Sequence, residues 1–110
     1  MSKPFDDVWI DLLLVAEATE IKTLVQKNVN LILDRKDSKI TVQSVITKNP
    51  RNLAKEDFKF VWEKLGKSKK LRLKDIDPEL RGRRSIIFAL LAQLEYIDYT
   101  TNPLTIILKQ

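Results

Sequence analysis

The chain has no cysteine and no histidine, and it spreads only two glycines and one methionine over 110 residues. The first two absences exclude disulfides, thiolate or imidazole metal sites, cysteine nucleophiles and histidine general bases together. Long apolar runs are missing too. The longest covers residues 12–16, far short of the roughly 20 residues that span a bilayer as a helix. Asp6, Asp7 and Asp11 precede it where a secretory signal would carry lysines, so the expected location is cytoplasmic, with no membrane partner.

What remains is 44% apolar and 32% charged, the balance of a soluble globular protein, and 110 residues normally make one domain. The net charge of +5 hides a segregation. Residues 48–84 carry 13 Lys and Arg against 6 Asp and Glu, a net +7, while residues 1–47 and 85–110 are each at −1. A confined basic field attracts phosphates or an acidic partner better than the same charge spread evenly, although a lysine-rich surface can also be merely solvated.

Along the chain, Ser2, Pro4, Asp6 and Asp7 form a helix start. Phe5, Val8, Trp9, Leu12, Leu13 and Ala16 then follow helical spacing, and the pattern either continues through Ile21, Leu24 and Val25 or breaks near Thr19. Val29, Leu31 and Leu33 alternate, as do Ile40 and Val42, which predicts a hairpin around a five-residue loop at 34–38. Pro50 should break the strand and mark a joint between residues 1–48 and residues 52–110. Asn52 is then the expected cap of a helix with Phe58, Val61, Trp62 and Leu65 on one face and Gly66 at its end. A short strand at 71–73, a brief helix near Ile76 and Leu80, and a helix over 85–94 follow. Two strands, 96–99 and 104–108, then flank Thr101, Asn102 and Pro103. Trp9 and Trp62 are expected core residues. Tyr96 and Tyr99, at strand spacing, are expected to pack on the hairpin rather than stack on bases.

Helix, short strand, helix, turn, helix and hairpin is an order that resembles a winged helix-turn-helix. "LKDI" at 73–76 and "LLAQLEYI" at 90–97 carry the resemblance, which covers residues 52–109; Glu95 and Tyr96 stand where such domains commonly have glycine. It implies an α+β protein, an N-terminal helix and β-hairpin followed by a winged helix-turn-helix. It also implies double-stranded DNA as partner, with the last helix in the major groove, or a protein docked on the same scaffold.

Within that frame, Arg81, Arg83 and Arg84 would surround Gly82 at the entrance of the last helix. Unpaired N–H groups and the helix dipole already favour an anion there, and guanidinium forks match phosphate oxygens. Gly82 would allow a close backbone approach. Alternatively Asp75, Asp77 or Glu79 pairs with these arginines inside the molecule. Lys67, Lys69, Lys70 and Arg72 are candidate auxiliary phosphate contacts, or a solvated loop. The helix over 85–94 offers only Ser85 and Gln93 to read bases. Its small residues instead suit close packing, against the N-terminal half of the chain or against a second protein.

Catalysis is not expected: Asp34 with Asp37, and Asp75 with Asp77 and Glu79, lie in turns beside basic residues, and no cofactor is called for. The expected function is DNA binding mainly through phosphates, as in a transcriptional regulator, with a homodimer formed through the apolar face of the first helix. The rival is a protein-interaction module.

Overall fold

Helix α1 (Phe5–Val15) begins at Pro4, whose carbonyl accepts the Asp7 and Val8 N–H groups, and carries Asp6 and Asp7 in its first turn. This is the computed structural model, and it describes residues 3–76 and 83–109. The expected cap Ser2 lies outside the described residues. Val8, Trp9, Leu12 and Ala16 are buried as their spacing predicts, and α1 stops before Thr19. Ile21 therefore belongs to a strand, β1 (Glu20–Lys22), not to a longer helix. The apolar face expected to serve a homodimer is turned into the core, leaving Ile10 and Leu14 exposed on the opposite side.

Strands β2 (Val29–Arg35) and β3 (Lys39–Ser44) form the expected hairpin, but Asp34 and Arg35 lie in β2 and only residues 36–38 turn. The alternation in β2 has the right period and the opposite phase. Asn30 is buried and Ile32 half-buried, while Leu31 and Leu33 are 39% and 49% exposed. The register shifts between Ile32 and Asp34, so Leu33 sits at a bulge that hides the facing from a simple count.

Pro50 does not separate two halves. It is the first residue of β4 (Pro50–Ala54), the edge strand beyond β3, where a missing N–H does little harm. Asn52 is a strand residue whose Oδ1 accepts the Thr41 hydroxyl at 2.9 Å, and the cap of the next helix is Ala54. The four-stranded antiparallel sheet runs in the order β1-β2-β3-β4.

Helix α2 (Lys55–Ser68) buries Phe58, Val61, Trp62 and Leu65 as expected. It runs through Gly66 and ends at Lys69, which takes the left-handed conformation (φ 67°) and donates its N–H to the Leu65 carbonyl at 2.7 Å. Then come β5 (Lys70–Arg72), a 3-10 turn at Leu73–Asp75 and α3 (Arg84–Leu91); most of the brief helix expected near Ile76 and Leu80 lies outside the described residues. Strands β6 (Ile97–Thr101) and β7 (Leu104–Leu108) close a three-stranded antiparallel sheet in the order β5-β7-β6.

Among the described residues one core joins both sheets and the three helices. Val8, Trp9 and Leu12 of α1, Ile40, Val42 and Leu53 of the first sheet, the α2 stripe, α3, and Leu71 and Ile106 of the second sheet belong to one buried cluster. Helix α3 lies inside it. Every residue from Ile86 to Leu91 is at most 4% exposed. The small-residue face that needed a cover is thus covered by this chain, with β1 and α1 packed on α3.

Candidate nucleic-acid interface

The basic residues divide into two groups at opposite ends of α2. Asp57, in its first turn, holds the Arg83 guanidinium at 3.8 Å. Lys67 lies in its last turn, ten residues on, or about 15 Å along the axis at 1.5 Å per residue.

The arginine corner is a structural joint. Arg83 precedes α3 as its capping residue and pairs with Asp57, and the half-buried Arg84 donates from Nη1 to the Leu73 carbonyl at 3.2 Å. Both side chains tie α3 to α2 and to the 3-10 turn. The carboxylate described on Arg83 is that of Asp57 in α2. Arg81 and Gly82 lie outside the described residues, as do Asp77 and Glu79. Ser85 sits in the first turn of α3, and Gln93 lies in the turn after its last residue. The two expected base readers are thus at opposite ends of a helix whose middle faces the core. A helix enclosed from Ile86 to Leu91 has no side free to enter a groove.

The lysines are placed differently. Lys67, Lys69, Lys70 and Arg72 are all exposed, in the last turn of α2, at its left-handed end and along β5, where Leu71 between them points inward. Arg72 is partly engaged: its backbone N–H donates to Asp75 Oδ2 at 3.0 Å and its Nε lies 3.5 Å from the same oxygen. That N–H, with the guanidinium beside it, holds the Asp75 carboxyl below its ordinary range. Among the described residues, no carboxylate lies within ion-pairing distance of Lys67, Lys69 or Lys70.

Two further cations belong to this tip and were not singled out from the sequence. Lys74, in the 3-10 turn, is exposed and has no ion pair among the described residues. Lys64 reaches from α2 to the Asp75 carbonyl at 3.3 Å. A sliding charge count finds both, because residues 64–74 hold six Lys and Arg and no Asp or Glu.

Of the acidic residues weighed as metal ligands, Asp34 and Asp75 are engaged, and Asp77 and Glu79 lie outside the described residues. Asp34 accepts the Arg35 N–H at 2.9 Å and lies 3.7 Å from Lys36, and Asp75 holds Arg72. Among the described residues no three acidic side chains gather as a metal cluster would require, and no helix is long and apolar enough to cross a membrane.

Comparison with protein-family models, with curated proteins and with solved structures finds no match to this chain.

Proposed function

We propose that the chain binds duplex DNA through its phosphates, using the lysine tip formed by Lys67, Lys69, Lys70 and Arg72, with Lys74 beside them. The observation that carries this reading is the set of exposed lysines at one end of α2 and β5, Lys67, Lys69 and Lys70, that no carboxylate neutralises among the described residues. The element order over residues 52–109, with the hairpin β6-β7 joined to β5, supports a winged-helix scaffold for it. The enclosure of α3 directs the contact to the backbone and away from base edges, so affinity varies little with DNA sequence. A regulatory role in transcription, and a cytoplasmic setting, belong to the same proposal.

Counterion release makes such binding fall steeply with salt. Fluorescence anisotropy with a labelled duplex at about 50 mM salt tests it: saturable binding, lost in the K67E/K69E/K70E variant, supports the reading, and no binding refutes it.

One observation favours protein docking instead. Leu31, Leu33 and Val45 stand exposed on the outer face of the first sheet, at 39%, 49% and 46%. Val45 donates its N–H to Val29, which continues the β2-β3 ladder and puts the apolar side chains on one surface. A L31K/L33K variant that keeps DNA binding separates the two surfaces.

A further inference from the structure

A cleft of about 400 Å³ opens where the first sheet meets the entrance of α3, lined by Thr23, Asn30, Ser44, Thr47, Arg51 and Ser85 among others. Two of these polar groups have an internal explanation. The Thr23 hydroxyl accepts the Asn28 N–H at 2.9 Å, and the Ser44 hydroxyl accepts the Ile46 and Thr47 N–H groups at 3.2 and 3.3 Å.

Asn30 does not. It is the second residue of β2, paired through its backbone with Ile21 on one side and Ser44 on the other, and it is only 6% exposed. Its carboxamide has no hydrogen-bond partner among the described residues and lines the cleft. No buried side-chain nitrogen or oxygen lacks a partner among the described residues, so the carboxamide of this otherwise enclosed residue keeps access to water and is open to a ligand. The Ser85 hydroxyl, in the first turn of α3, is likewise without a partner among the described residues. The first N–H groups of a helix have no intrahelical acceptor, and the dipole there favours negative charge. Arg51 is the one charged group among the described lining residues, and no carboxylate is among them.

We infer that this cleft binds a small organic oxyanion, with the Asn30 carboxamide, the Ser85 hydroxyl and the first turn of α3 holding its charged head. The volume exceeds that of a bare phosphate and lies in the range of small-molecule sites, and Leu24 and Leu104 give an apolar surface for the remainder of the ligand. None of the lysines proposed to contact DNA lines the cleft, so this inference does not rest on the DNA reading.

The test is a titration of the isotopically labelled full chain with inorganic phosphate and, separately, acetate, followed by amide NMR against sodium chloride at equal ionic strength. The expected result is saturable shifts of the Asn30 side-chain NH₂ and of the Ser85 and Ile86 backbone amides. A larger response to phosphate assigns phosphate esters as the ligand class, and a larger response to acetate assigns carboxylates. Asn30→Asp, which adds a repelling charge, should abolish the shifts. Ser85→Ala, a milder change that keeps the fold, should weaken binding about tenfold, the loss of one hydrogen bond to a charged group. The K67E/K69E/K70E variant should bind phosphate as the parent does, so the failure of either proposal is seen separately. Shifts no larger than those from chloride, or shifts unchanged in both Asn30→Asp and Ser85→Ala, overturn the inference.

Discussion

The Tyr96 hydroxyl donates to Asp11 Oδ2 at 2.8 Å, joining residues 85 positions apart, and the Lys3 ammonium donates to the same oxygen at 2.8 Å while lying 4.4 Å from the centre of the Tyr96 ring. The start of the chain, α1 and the segment entering β6 meet at this one carboxylate. Hydrogen bonds from Lys3 and Tyr96 hold the Asp11 carboxyl below its usual range, while burial and the neighbouring Asp11 push the Tyr96 phenol above its own.

The joint has a pH signature on both sides. The lowered Asp11 value gives stability that is present above the unfolded-state carboxylate value near 4 and is lost as pH falls through the folded value. The raised Tyr96 value gives stability that is present below the unfolded tyrosine value near 10 and is lost as pH rises towards the folded value. Tyr96→Phe should cost about 1 kcal/mol at neutral pH and flatten the alkaline flank, and Asp11→Asn should flatten the acid flank. A double-mutant cycle by urea denaturation should give a coupling of at least about 0.5 kcal/mol. Additive single effects would contradict the contact.

Gly66 is a second point of leverage. It lies inside α2, and a Cβ built there meets no atom within 4 Å. Gly66→Ala should therefore stabilise the protein by roughly 0.5–1 kcal/mol, since alanine is the better helix residue and limits the unfolded chain. Thermal denaturation reads it directly. A drop in Tm would mean that α2 ends at Gly66 and not at Lys69.

Burial of α3 separates two roles for that helix. Ala89 is fully enclosed, so Ala89→Leu should destabilise by about 1–3 kcal/mol through overpacking. A helix that presented this face to DNA would instead lose binding and keep its stability. Chemical denaturation and anisotropy on the same variant decide between them.

The arginine joint predicts a fold defect. Glutamate at position 83 would face Asp57, and at position 84 it would face the Leu73 carbonyl. R83E/R84E should lower the denaturation midpoint and also weaken DNA binding to the extent that the fold is lost. Comparison with K67E/K69E/K70E, whose wild-type lysines have no ion pair among the described residues, makes the distinction: that variant should keep its stability within about 0.5 kcal/mol.

These outcomes show which parts of the molecule the sequence discloses. Helical stripes were legible, because Val8, Trp9 and Leu12, and Phe58, Val61, Trp62 and Leu65, recur at a spacing only a helix explains. The hairpin β6-β7 was legible from its turn residues. Facing in β2 was not, because a bulge and an inward asparagine defeat the rule that apolar means inside. Pro50 and Gly66 misled for the same reason: each was read as punctuation, yet an edge strand accepts the one and a helix interior the other. At the candidate site, charge density was legible and charge pairing was not. Arg83 and Lys69 look alike in a string of letters, and only the fold brings Asp57 to the first and leaves the second without an acidic partner among the described residues. The Asn30 cleft had no signal of its own, since one asparagine between apolar strand residues carries no motif.

The salt dependence of duplex binding by the parent chain and by K67E/K69E/K70E tests the central claim most directly. A plot of log K against log salt should have a slope steeper than about −2.5 for the parent, since each neutralised phosphate contributes about −0.9, and should flatten towards zero in the variant with its fold intact. Equal slopes for the two proteins, or no measurable binding by the parent at low salt, would contradict the account.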